Sequence, residues 1–136
     1  MAAGGIFPGH EISVLIRNGA IRASRKFIKG QIQPASIDLR LGATAYRVRA
    51  SFLPGPLRTV EQRLSELLAH KIDLDTEAGA VLEKDTVYIA EIEERLTLPP
   101  SLSATANPKS STGRLDVFTR VIADRTDSFD YIQPGY

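Results

Sequence analysis

Apolar residues recur along this chain with two periods, and the change of period marks its elements. Ile12, Leu15 and Ile16 fall at helical spacing and Gly19 follows as a stop, predicting a short helix over residues 10–18. Residues 21–29 carry four cations among few apolar side chains and read as a solvated connector. Ile37, Leu39 and Leu41 then alternate with Ser36, Asp38 and Arg40, a half-buried strand ended by Gly42. A further strand is expected over residues 45–50, with Tyr46 and Val48 on one face and Arg47 and Arg49 on the other. After the breaker Leu53-Pro54-Gly55-Pro56, the apolar face Val60, Leu64, Leu67 and Leu68 predicts a second helix over residues 59–69.

From Gly79 onward the pattern is β. Strands are expected over residues 81–84 and 86–92, then at 95–98 before Pro99-Pro100, and at 103–107. In residues 115–123, Val117, Thr119 and Val121 alternate with Phe118, Arg120 and Ile122, predicting one more strand. Short strands with frequent Pro and Gly breaks and two short helices point to a mainly β fold, a sandwich or barrel decorated by helices. Met1 to Pro8 is small and Gly-rich and is expected to be loosely ordered.

Composition narrows the chemistry. At 136 residues the length suits one domain. A net charge of +1 gives no global case for nucleic acid or an anionic membrane. With no Cys, disulfides, thiolate nucleophiles and Cys-ligated zinc are excluded. His10, beside a helix start, and His70, at a helix end, have no metal-ligand spacing. Asp73, Asp75 and Glu77 lack the Gly and distal Glu of a calcium loop. No apolar run reaches the length of a signal peptide or membrane span, so a cytoplasmic protein is expected.

Two stretches carry candidate chemistry. Asn107-Pro108-Lys109-Ser110-Ser111-Thr112-Gly113-Arg114 gathers two cations and three hydroxyls between expected strands. Backbone N–H groups, hydroxyl donors and fixed charge in one small volume suit a polyphosphate, although the same residues also build ordinary polar turns. In the earlier stretch, alternation puts Asp38 and Arg40 on one face, either as a solvent-facing pair or with the carboxylate toward a cleft or a neighbouring subunit.

Gln33-Pro34-Ala35-Ser36-Ile37-Asp38-Leu39-Arg40-Leu41-Gly42 and Lys109-Ser110-Ser111-Thr112-Gly113-Arg114-Leu115 together resemble the dCTP deaminases of the dUTPase-like superfamily. Glu94-Arg95-Leu96-Thr97-Leu98-Pro99 resembles the family's segment leading into its Ser-Ser-Arg motif, and the details look closest to the N-terminal portion of the longer, two-domain bacterial form. The resemblance covers nearly the whole chain in the same order. It implies a distorted β-sandwich or β-clip with two short helices, built as a homotrimer with sites at subunit boundaries. The implied reaction is the hydrolytic deamination of dCTP to dUTP, without zinc and with magnesium accompanying the triphosphate.

By the same resemblance Lys109, Ser110, Ser111 and Arg114 contact the nucleotide and its phosphates. Ser110 and Arg114 also stand near the reacting base and its water, and Asp38 reaches the metal-bound phosphates through water. The family's catalytic Glu lies on a strand beyond a Pro-Gly-aromatic turn, and Gln133-Pro134-Gly135-Tyr136 resembles that turn. Residues 1–136 are therefore expected to form a dUTPase-like domain cut short at its C-terminal end, without the general base and with little activity alone. A dUTP pyrophosphatase, a bifunctional deaminase-pyrophosphatase and a non-catalytic nucleotide-binding or assembly module are the alternatives. Regulation by dTTP, as in some relatives, stays open.

Overall fold

Helix α1 (Gly9–Arg17) turns Ile12 and Leu15 inward, and with Ile21 they form the centre of the core. The structure, a computed structural model, describes residues 4–135; residues 1–3 of the N-terminal stretch and Tyr136 of the terminal turn lie outside them. Phe7, Ile16, Phe27 and Leu96 pack around that centre. Strand β1 (Ile21–Ala23) lies where a solvated connector is expected, because Ile21 is 5% exposed and its neighbours pair antiparallel with β5 (Glu94–Leu96). A cation at the short strand's outward position, Arg22, had hidden its apolar first residue.

Strand β2 (Leu41–Val48) is the centre of a three-stranded antiparallel sheet, between β3 (His70–Asp73) and β4 (Val87–Ile92). Ala45 faces Ile72 on one side and Ala90 on the other, and it is 1% exposed. This strand begins where the sequence pattern ends one. Gly42 continues it through a register shift, its α-carbon so close to β4 that an added Cβ would sit 3.3 Å from the Glu91 carbonyl oxygen. Residues 38–40 run outside any strand, and Ile37 makes only an isolated bridge with Ile32. His70 opens β3 and does not end a helix, and residues 81–84 form no strand.

Helix α2 (Val60–Glu66) starts with a complete capping box, Thr59 accepting from the Gln62 N–H and the Gln62 side chain accepting from the Thr59 N–H. Asp124 Oδ1 accepts the next orphan donor, Val60 N–H, at 2.7 Å. Two neighbouring bonds, Arg125 N–H to the Arg58 carbonyl and Gly55 N–H to the Thr126 carbonyl, strap residues 124–126 across this loop.

The last ladder joins β6 (Ala104–Thr105) to β7 (Tyr131–Ile132), a strand the alternation did not predict. A third helical turn, α3 (Ser110–Gly113), occupies the candidate phosphate loop, so the described residues hold three short helices and not two. The strand expected over residues 115–123 is absent. Among the described residues Phe118, Thr119 and Arg120 donate no backbone hydrogen bond, and Phe118 is 94% exposed. Alternation defines two faces but supplies no neighbour, and without a ladder partner the segment is only extended chain. The chain's accessible surface is 9967 Å², against roughly 7,000 Å² for a close-packed monomer of this mass.

Candidate functional site

The candidate loop is delivered by β6 and closed from behind by the residues ahead of β7. Ala106 N–H donates to the Asp130 carbonyl, and Asp130 in turn accepts Val121 N–H at 2.7 Å and Arg120 Nε at 2.5 Å. Arg120 also lies over the Phe129 ring, its guanidinium carbon 5.3 Å from the centroid. Lys109 is the N-cap of α3, with extended backbone, and its carbonyl accepts from Thr112 and Gly113. This turn leaves the N–H groups of Ser110 and Ser111 without an intramolecular acceptor among the described residues.

The side chains follow the same pattern. Ser110, Ser111 and Arg114 are all exposed, and among the described residues neither hydroxyl nor the guanidinium has an intramolecular hydrogen-bond partner. Two N–H groups, two hydroxyls and a five-donor guanidinium are therefore free within one helical turn, a donor set matched to a polyanion. Lys109 differs. Its ammonium is paired with the carboxylate of Asp38.

That pair joins the two sequence motifs, 71 residues apart in the chain. It also answers where Asp38 and Arg40 point. Asp38 faces the loop, while Arg40 turns inward to Glu94, so the two do not pair with each other. Asp38 is held through its main chain: its N–H donates to the Gln31 carbonyl at 2.9 Å, and the Gln31 amide donates back to its carbonyl at 3.0 Å. The same Gln31 amide reaches Glu94 Oε1 at 2.6 Å.

Glu94, named in the sequence only as the start of a family-like segment, has a buried role that the sequence did not predict. Its side chain is 0% exposed and accepts from Arg40 N–H at 2.9 Å and Arg40 Nε at 2.8 Å. Its neighbour Glu93 accepts from the Ser24 hydroxyl and from Arg25 N–H, and these bonds, the hydroxyl first, hold its carboxyl below the ordinary glutamate range. Consecutive acids, Glu93 between β4 and β5 and Glu94 opening β5, thus grip residues 24–25 and residue 40, at the two ends of the segment that carries Asp38. The available signal was two acids interrupting an apolar strand pattern, Ile92-Glu93-Glu94-Arg95-Leu96.

An open hollow of about 690 Å³ lies along α2, lined by Leu57, Arg58, Glu61 and Glu66 among others. Neither the loop residues nor Asp38 contribute to it. Among the described residues no three His, Cys, Asp or Glu side chains cluster as metal ligands, and no helix is long and apolar enough to cross a membrane.

Comparison with known proteins gives a consistent result. The crystal structure of 2'-deoxycytidine 5'-triphosphate deaminase from Agrobacterium tumefaciens superposes with a TM-score of 0.91 at 50% identity, over 97% of this chain and 39% of that one. The mainly β, antiparallel arrangement is therefore that of a dCTP deaminase. A dCTP deaminase from Natronomonas pharaonis is 30% identical over 106 residues, 78% of this chain and 51% of the relative. A dUMP-forming dCTP deaminase from Dictyoglomus thermophilum is 29% identical over 108 residues, 78% of this chain and 50% of the relative. The chain spans about half the length of the curated relatives it matches. The model of the 2'-deoxycytidine 5'-triphosphate deaminase N-terminal domain matches residues 3–136, and the chain belongs to that family.

Proposed function

We propose that these residues form the nucleotide-holding portion of an enzyme that hydrolyses dCTP to dUTP and ammonia, feeding cytoplasmic synthesis of pyrimidine deoxynucleotides. The observation that carries the reading is the α3 turn, with its free N–H groups, hydroxyls and guanidinium, in a chain 50% identical to a dCTP deaminase. In this reading Ser110 and Ser111 bind phosphate oxygens through N–H and hydroxyl groups, and Lys109 adds a point charge. Ser110 and Arg114 orient the base and the attacking water. Their fixed donors lower the barrier by placing water and ring carbon together and by stabilising charge as it develops.

Magnesium enters this proposal with the triphosphate, whose charge it offsets. Asp38 is the carboxylate in contact with the loop among the described residues, so a single protein carboxylate would meet the ion, through water. The carboxylate that deprotonates the water is assigned to the half of the relatives that this chain does not match. A β-clip subunit in a homotrimer, with dTTP as regulator, completes the proposal.

The dUMP-forming names among the relatives favour a second reading, a bifunctional enzyme that also releases pyrophosphate. A non-catalytic nucleotide-binding module is the third. Calorimetric titration of this chain with dCTP and dTTP tests the loop, and assays for ammonia and pyrophosphate on a polypeptide extended to the relatives' length separate the three. Binding of dCTP that Arg114→Ala abolishes, with no turnover by the chain alone, is the expected result. Binding that ignores Arg114→Ala would count against the loop as a nucleotide site.

A further inference from the structure

The loop's free donors have one exception, and its asymmetry is informative. Lys109 Nζ pairs with Asp38 Oδ2, with side-chain exposures of 61% and 32%. Asp38 is pinned on both sides of its main chain by Gln31, and two residues later Arg40 is anchored to the buried Glu94 by its N–H and its Nε. The carboxylate therefore cannot travel far. Lys109 has a four-carbon stem in solvent, and its chain neighbours Pro108 and Ser110 are exposed. When the pair separates, Lys109 is the partner that moves.

We propose that Asp38 is the resting counter-ion of Lys109, exchanged for phosphate oxygens when a polyphosphate enters the loop. This deepens the phosphate-binding reading of residues 109–114 and rests on it. An exposed ion pair is worth about 0.2–1 kcal/mol, so it holds the lysine in place without trapping it. A triphosphate brings several charges and accepts charge-assisted bonds from the free N–H groups beside Lys109, so it wins the exchange. Asp38 stays behind with its charge uncompensated, close to the phosphates. Affinity for a polyphosphate is thereby set below what the donors alone would give, and the carboxylate makes binding reversible.

The test uses inorganic tripolyphosphate without divalent cation, which keeps any water-mediated metal contact of Asp38 out of the measurement. Asp38→Asn removes the charge and keeps the shape, and circular dichroism checks its fold. At low ionic strength the variant is expected to bind tripolyphosphate about two- to fivefold more tightly than the parent. Added salt should shrink that difference, and Lys109→Met should reduce it to the repulsion that Asp38 exerts with no ion pair to break. Weaker or unchanged binding by Asp38→Asn overturns the exchange.

A second readout needs no ligand. The Asp38 carboxylate occupies the Lys109 amine and shields it from an acylating reagent. Asp38→Asn should raise acetylation of Lys109 relative to Lys26, Lys29, Lys71 and Lys84, measured by peptide mass spectrometry, and tripolyphosphate should lower it again. Unchanged Lys109 reactivity rejects the ion pair whatever binds. Raised reactivity with no tripolyphosphate binding by either chain rejects the phosphate reading, and the exchange falls with it.

Discussion

Arg40 Nε stands 2.8 Å from Glu94 Oε1, joining a carboxylate with no exposure to a guanidinium that keeps 21% of its own. The guanidinium also donates to the carbonyls of Arg25 and Lys26 and lies over Phe27, so one side chain ties residues 25–27 to a buried charge. Arg40→Met removes the partner that the buried Glu94 side chain pairs with. A loss of about 3 kcal/mol or more is expected in urea unfolding. Replacing both residues by apolar ones should recover much of it. A loss below about 1 kcal/mol in the single variant would contradict the arrangement.

Glu93 sets an acid limit on the same clamp. Its folded-state pKa is depressed by the Ser24 hydroxyl and Arg25 N–H, so its contribution is complete above the unfolded value, about 4.3. The contribution fades as pH falls through the lower folded value. Glu93→Gln should therefore lower stability at neutral pH and flatten the stability profile below about pH 4.3. Equal slopes in parent and variant through that range would reject the assignment.

Gly9 should reverse the usual helix rule. Ala is favoured over Gly inside helices by about 1 kcal/mol. Here Gly9 N–H donates to the Pro34 carbonyl at 2.8 Å, and a Cβ would stand 2.7 Å from the Gln33 carbonyl oxygen. Both atoms are backbone and cannot rotate aside. Gly9→Ala is expected to lower the melting temperature, and an unchanged or higher value would show that α1 can shift without penalty.

Several of these relationships were legible before any coordinates, and others could not be. The Ile12, Leu15 and Ile16 stripe located α1 within a residue at each end, because one apolar face against one core is a local pattern. The family resemblance rests on the Asp38 and Lys109 stretches together, and the structure brings those two side chains into contact. Glu94 was invisible for a physical reason. A buried acid is distinguished from a solvated one only by Gln31 and Arg40, which arrive from more than fifty residues away. Residues 115–123 failed in the opposite sense, since their alternation is genuine and the ladder partner is what the described chain lacks.

Arg114 offers a test of charge against geometry. Arg114→Lys keeps the cation and loses the planar fork. If phosphate or base recognition is bidentate, dCTP binding should fall about tenfold with Lys and at least as far with Ala, measured by calorimetry. Retention of full affinity by Arg114→Lys would assign the residue a purely electrostatic part.

The large accessible surface has a thermodynamic corollary. With 9967 Å² exposed when folded, unfolding uncovers about one-fifth less new area than it would for a close-packed chain of this mass. Both the denaturant slope and the heat-capacity increment scale with that area. Each should fall about one-fifth below the value expected from length when residues 1–136 are measured as an isolated monomer, whose stability curve should be unusually flat with temperature. Phe118, already in water at 94% exposure, contributes almost nothing to either quantity.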